Sequence, residues 1–452
     1  MSLRSPRVTC TGCLSCRRDH GVAVMTYDET RDSEQLRLCD HSIDDFVNRY
    51  KKISGKPPKR RQTVILFPGG GGCQLKRATA KFVDGVSTPQ TFQYHPVWLT
   101  PGSFLGDALL LKLKKVPSGS GTNTYRDMDD HIIVADGAVN FLQCTPYDGF
   151  IAWCNKKKID WFVFGWDWRR RLDETVEFFV HQFLPHFQAR VVNECAADPL
   201  EDFSLIGHSF GGMVVNWILR EHDDAALSRA VTVATPFYGY AGQVHRFFEG
   251  DAYFNGPFNL LKMDVIRVFS SFPAFYALMF LDGKTYDTYK TDLQNDPQYP
   301  LLDYPSMDST LPALRADPYN PQTNGSQVRY PPPYTMSGFD TDELDNGGEV
   351  VKFLAGALTA AKANKFFNIQ GAHVPANTVG GTTWAWLPPP FAPPPITDNP
   401  VVGGDGTLPA WSTRLVSLNP SNCILLKDPN AEHMFIMNST ATLKALAGVL
   451  NV

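Results

Sequence analysis

The sequence predicts an α/β architecture: a mostly parallel sheet with helices on both faces, interrupted by an inserted cap domain. Three observations carry this. Short apolar runs alternate with amphipathic ones, the pattern of strands buried on both faces and linked by crossover helices. One run, Leu205-Ile206, passes through Gly207-His208-Ser209-Phe210-Gly211 straight into the apolar Gly212-Met213-Val214-Val215. Between Phe237 and about Asn346 the alternation stops, in a stretch too long for a connection and too apolar for a disordered linker.

In chain order, residues 1–60 are polar and end in the basic run Lys56-Pro57-Pro58-Lys59-Arg60-Arg61, which reads as a linker from a cysteine-containing N-terminal arm. The core then begins, with a first part over 61–236. Thr63-Val64-Ile65-Leu66-Phe67 is a short strand, and Pro68 with Gly69 to Gly72 follows it. Glycines there let backbone N–H groups approach a ligand closely. No G-K-[ST] follows, so the Walker pattern of a phosphate cradle fails. Trp161 to Gly165 is the next buried strand, and Asp173 can cap a long helix through about Ala197 with Val176, Phe179, Val180 and Phe183 on one stripe. Phe203–Ile206 and Ala230–Ala234 are further strands, and the helix after the first of them begins near Met213. The cap is placed at 237–347 and the second part of the core at 348–452. That second part holds a helix at about 348–363, a strand at Lys365–Ile369, a proline-rich excursion from Trp384 to Pro400, a last strand at Cys423–Leu426 and a terminal helix at Ala441–Leu450.

Composition narrows the class. The chain has 452 residues, 43% hydrophobic and 19% charged, which suits a globular protein and excludes a disordered one. A net charge of −4 gives no electrostatic basis for binding nucleic acid. The start has no apolar h-region and no run is long enough to span a bilayer, so the expectation is a cytoplasmic protein without a transmembrane segment. Nine cysteines leave at least one thiol unpaired. Cys10, Cys13 and Cys16, with Cys39 beyond, can form a structural zinc site, two disulfides or free thiols; these alternatives stay open.

A serine hydroxyl is protonated at neutral pH and needs an adjacent base. G-x-S-x-G between strand and helix lifts Ser209 onto a sharp turn, with the positive end of the following helix beneath it. This is the elbow of an α/β-hydrolase fold, in which serine, acid and histidine follow in that order. Two histidines lie beyond the cap. His433, between the last strand and the final helix, stands where the base belongs; His373 comes too early. Asp405, in a glycine-flanked loop 28 residues before His433, is the acid, with Asp398 as its rival. The expected oxyanion donors are the N–H groups of Phe210 and Gly70. No metal or cofactor is needed for this chemistry.

With these residues in place the chain resembles the lecithin:cholesterol acyltransferase family, which includes lysosomal phospholipase A2 and the phospholipid:diacylglycerol acyltransferases. The likeness spans roughly 62–440. It rests on Val64-Ile65-Leu66-Phe67-Pro68-Gly69 through Gln74-Leu75, Val97-Trp98-Leu99, Trp166-Asp167-Trp168-Arg169, Gly207 to Gly211, Thr235-Pro236-Phe237-Tyr238-Gly239, Phe272-Pro273-Ala274-Phe275-Tyr276, Gly404 to Pro409, and His433. The family implies acyl-ester chemistry through a serine acyl-enzyme. Four glycines at 69–72, the lack of any cysteine between Gln74 and Gln143, and the insert at 384–400 depart from it.

The expected function is a lipase, phospholipase or esterase acting on lipid-like acyl esters, with transient contact to a lipid interface. Trp166, Phe237, Tyr238, Phe275 and Met434 are the expected substrate-lining side chains, and Asp167 with Arg169 a buried structural pair. The alternatives are an acyltransferase that passes the acyl group to an alcohol, and an inactive lipid-binding protein.

Overall fold

A computed structural model describes residues 26–53, 62–81, 93–98, 107–117, 124–140, 145–195, 198–222, 224–239, 242–248, 262–279, 340–372, 378–384, 396–401, 403–415 and 417–452. The strands, in chain order, are β1 (Thr63–Phe67), β2 (Cys73–Lys81), β3 (Tyr94–Pro96), β4 (Leu113–Val116), β5 (Thr124–Asp127), β6 (His131–Ala138), β7 (Asp160–Val163), β8 (Phe203–His208), β9 (Leu227–Val233), β10 (Phe366–Gly371), β11 (Thr378–Trp384), β12 (Ile396–Val401) and β13 (Cys423–Leu426). Six of them, in the order β13-β10-β9-β8-β1-β7, make one sheet whose neighbouring pairs are all parallel. The strand leading to Ser209 lies near its centre, between β1 and β9.

Alternation within a strand explains why this sheet reads as runs of apolar residues. In β1 every residue is buried. Ile65 and Phe67 pack into a core shared with Phe162, Leu205 and Phe366, while Val64 and Leu66 join Ile206, Val231 and Ile369 on the opposite face. Helices cover both. The first face carries α1 (Tyr27–Ile53), α3 (Leu172–Phe178), α4 (Leu184–Cys195) and α5 (Phe210–Glu221), the helices numbered in chain order. The second carries α2 (Asp148–Lys157) and the terminal helix Thr440–Leu450. This is the mostly parallel, doubly covered sheet of the α/β-hydrolase fold.

Three expectations change. The segment read as a polar arm and linker contains α1, a helix of 27 residues whose Ile43, Phe46, Val47 and Tyr50 are buried. Phe46 meets Phe187 edge-on at 5.0 Å and Phe162 at 6.5 Å. Its apolar positions are sparse among charged ones, so the stripe is visible only once a partner face is known. Second, the helix expected to be capped by Asp173 starts at Leu172 with Arg171 at the cap, and a π-turn over Phe179–Phe183 divides it from α4. The widened turn keeps Phe179, Phe183 and Phe187 stacked on one line, at 5.5 Å between successive rings. Third, the helix expected at 348–363 is two helices, Thr341–Ala355 and Ala360–Lys365, capped by the side chains of Asp340 and Thr359.

The antiparallel parts are smaller: β3-β2-β6, the β4-β5 pair and the β11-β12 pair. The last flanks the proline-rich excursion, whose remaining residues lie outside the described ones. Of the expected cap, the helices α6 (Gln243–Phe248), α7 (Lys262–Ser270) and α8 (Pro273–Tyr276) are described, with Phe269, Phe272 and Phe275 clustered against Trp168. Residues 249–261 and 280–339, the greater part of that expectation, lie outside.

Asp167 and Arg169 do pair, at 2.7 Å, within a larger buried group. Arg169 also reaches Asp127 at 2.8 Å and the Leu111 carbonyl, and the Tyr27 hydroxyl donates to Asp127. Burial raises the pKa of Asp167, but Arg169 and Arg170 outweigh it and hold the carboxyl below its usual range. The group ties α1, β5 and the segment after β7 together.

Candidate active site

Ser209 stands between β8 and α5 at φ 52°, ψ −125°, a backbone region that non-glycine residues avoid. The flanking glycines make this turn possible. A Cβ on Gly207 would collide with the backbone of Gly212, and one on Gly211 with the Phe67 and Pro68 carbonyls of the neighbouring loop. Register does the rest: Phe67 lies opposite Gly207, so the loop after β1 ends beside the serine.

His433 Nε2 is 2.9 Å from Ser209 Oγ, and His433 Nδ1 is 2.7 Å from Asp405 Oδ2. A carboxylate only accepts, so Nδ1 carries the ring proton and Nε2 is left to accept from the serine hydroxyl. Asp405 is fully buried. Its other oxygen accepts the N–H groups of Thr407 and Leu408, at 3.0 and 2.7 Å, and its carbonyl accepts the His433 N–H at 2.8 Å. The G-D-G-T-x-P loop thus fixes the carboxylate with its own backbone and also anchors the histidine. Of the rivals, Asp398 falls in β12 and His373 lies outside the described residues.

Gly69 to Gly72 form a turn closed by the Gly72 N–H on the Gly69 carbonyl at 2.8 Å, with Gly71 at φ 75°, the conformation that suits glycine at the third position of a type II turn. A Cβ on Gly70 would stand 3.3 Å from the Phe210 ring, so the two expected oxyanion donors belong to adjoining segments. Neither N–H donates to another group among the described residues. Trp166 braces this loop: its Nε1 donates to the Pro68 carbonyl at 2.9 Å and its ring packs 5.4 Å from Phe210.

The other expected lining residues are placed as follows. Phe237 and Tyr238 are fully buried, the former edge-on to Phe366 of β10. Phe275 stacks on Trp168 at 5.9 Å. Met434, directly after His433, is half-exposed. Cys10, Cys13 and Cys16 lie outside the described residues. Cys39 is buried on α1, where it accepts from Gln35 Nε2 at 3.6 Å, and burial pushes its thiol up to about 12. Among the described residues no group of three or more His, Cys, Asp or Glu is arranged to hold a metal ion, and no helix is long and apolar enough to cross a membrane.

Two side chains beside the serine escape sequence reasoning. His208 lies inside the G-x-S-x-G motif but occupies a position that the motif leaves open. Tyr147, 61 residues earlier, has no motif at all. Both are buried and hydrogen-bonded to each other at 2.9 Å.

No family model matches the sequence, and no curated protein does. Among solved structures, the chain is similar to one described as the Tle4-Tli4 complex, at 15% identity and a TM-score of 0.48, over 87% of this chain and 99% of that one. It is similar also to the product of the gene lin2722 from Listeria innocua, at 9% identity and a TM-score of 0.27, over 86% and 94% of the two chains.

Proposed function

We propose that this protein is a serine-dependent carboxylic ester hydrolase of lipase, phospholipase or esterase type. The observation that carries the reading is the continuous Ser209–His433–Asp405 hydrogen-bonded chain at a strained strand-to-helix turn. Strain of this kind persists where surrounding structure enforces it, and at nucleophile turns it exposes the hydroxyl.

In the proposed reaction His433 Nε2 takes the hydroxyl proton as Ser209 Oγ bonds to the acyl carbon. The negative charge on the carbonyl oxygen is met by the Gly70 and Phe210 N–H groups. Collapse of this intermediate breaks the ester C–O bond, and the imidazolium gives its proton to the departing alcohol. Water, deprotonated by His433, then releases the acid and restores Ser209. Asp405 holds the imidazole in the required tautomer and stabilises its cation.

Lipid-like substrates are the finer part of the reading. They rest on the resemblance to the lecithin:cholesterol acyltransferase family and on the aromatic Trp166 and Phe210 beside the glycine loop. The same resemblance supports acyl transfer as a second reading, in which an alcohol replaces water in the second half-reaction.

The test is hydrolysis of p-nitrophenyl esters of increasing chain length by wild type and Ser209→Ala, with and without an added alcohol. Wild-type turnover that falls at least about 10⁴-fold in the variant is the expected result. An optimum at long chains supports a lipid-like substrate, and alkyl ester product on adding alcohol supports transfer. Equal activity in the two proteins would sink the proposal.

A further inference from the structure

Tyr147 and His208 lie beneath the glycine loop, and the protons between them can be assigned. His208 Nε2 is 3.0 Å from the carbonyl oxygen of His433. A carbonyl only accepts, so Nε2 carries the ring proton and Nδ1 must accept. The partner of Nδ1 is the Tyr147 hydroxyl, which therefore donates to it at 2.9 Å. The Tyr147 oxygen in turn accepts the Gly69 N–H at 2.8 Å. One directed chain results: Gly69 N–H to Tyr147, Tyr147 O–H to His208, His208 Nε2–H to the His433 carbonyl.

Its two ends are what matter. Gly69 immediately precedes Gly70, whose N–H is the oxyanion donor of the reading above. His433 is the base, and its backbone is held on both sides, by Asp405 at the N–H and by His208 at the carbonyl. We propose that Tyr147 and His208 are positioning residues that lock the oxyanion loop and the base into one frame around Ser209. The proposal rests on that reading of Ser209. Neither residue touches the reacting atoms; both act through the groups that do. Oxyanion donors serve only within a few tenths of an ångström of their ideal distance, and a displacement of about 1 Å costs on the order of 100-fold in rate. Burial, with His433 close by, holds the His208 pKa well below 6.5, so the ring stays neutral and the chain keeps one proton arrangement at neutral pH.

The experiment measures kcat and KM on a p-nitrophenyl ester, per active site titrated with an organophosphonate, for wild type, Tyr147→Phe, His208→Gln and His208→Leu, and turnover per folded chain for Ser209→Ala, which has no site to titrate. Tyr147→Phe removes one oxygen and is expected to lower kcat at least about tenfold while KM stays within about twofold. Glutamine at 208 can still donate to the His433 carbonyl and leucine cannot, so His208→Gln should retain several-fold more kcat than His208→Leu. A purely structural role would reduce the titrated fraction instead and leave kcat per site unchanged. If Tyr147→Phe does not fold, the two His208 variants decide. Ser209-dependent turnover with Tyr147→Phe at wild-type kcat, or with both His208 variants equally impaired, overturns the positioning role alone. Wild-type turnover that survives Ser209→Ala, or no turnover at all, overturns the reading of the site and the positioning role with it.

Discussion

Ser209 and His208 are neighbours in the chain and opposites in chemistry. The serine sits on a strained turn within reach of a histidine, whereas the histidine beside it is buried among fixed partners. That burial has a consequence for stability. The folded-state pKa of His208 is depressed below its ordinary value of 6.5, with desolvation the largest cause. Below pH 6.5 the unfolded chain therefore binds a proton that the folded chain refuses. The contribution to stability is complete above pH 6.5 and is lost as pH falls towards the folded-state value. Urea unfolding of wild type and His208→Gln between pH 8 and 5 checks this: the stability of wild type relative to the variant should fall as pH drops below about 6.5. A constant difference across the range would show that His208 does not carry the linkage. The motif pointed to Ser209 because a nucleophile turn demands glycines at fixed spacing. It could not point to Tyr147, whose role depends on a fold bringing two distant segments together.

The legible strands are those written as continuous apolar runs, whether fully buried like Thr63–Phe67 or, at the sheet edge, only partly buried like Cys423–Leu426. Thr63–Phe67 and Cys423–Leu426 have in the structure the bounds that their apolar runs suggest. Helix α1 is not legible in the sequence because polar residues outnumber its buried ones. Strand β2, Cys-Gln-Leu-Lys-Arg-Ala-Thr-Ala-Lys, carries no apolar run and pairs antiparallel with β6. The helix expected from about 348 begins earlier, at Thr341, and holds Gly347 and Gly348 inside it. Gly347 is there for close packing: a Cβ would strike the Tyr276 carbonyl of α8. If α1 is integral to the core, Phe46→Ala should destabilise the protein by about 3–5 kcal/mol in urea unfolding. A loss below about 1 kcal/mol would mean that the helix is a detachable arm.

The whole molecule gathers the proposed active site where a parallel sheet presents the carboxyl ends of its strands. Ser209 follows β8, the glycine loop follows β1, and His433 follows β13. Three segments far apart in sequence meet because their strands share one sheet with one direction. How substrate reaches the serine is not written in the same way, because the expected cap has no strand periodicity and no motif that fixes its path. The nucleophilic role of Ser209 is tested most directly by treating the full chain with an alkyl fluorophosphonate and locating the adduct by peptide mass spectrometry. The expected result is a single adduct on Ser209 that is absent from Ser209→Ala. Folded protein that takes no adduct, or takes it on another residue, would contradict the assignment of Ser209 as the nucleophile.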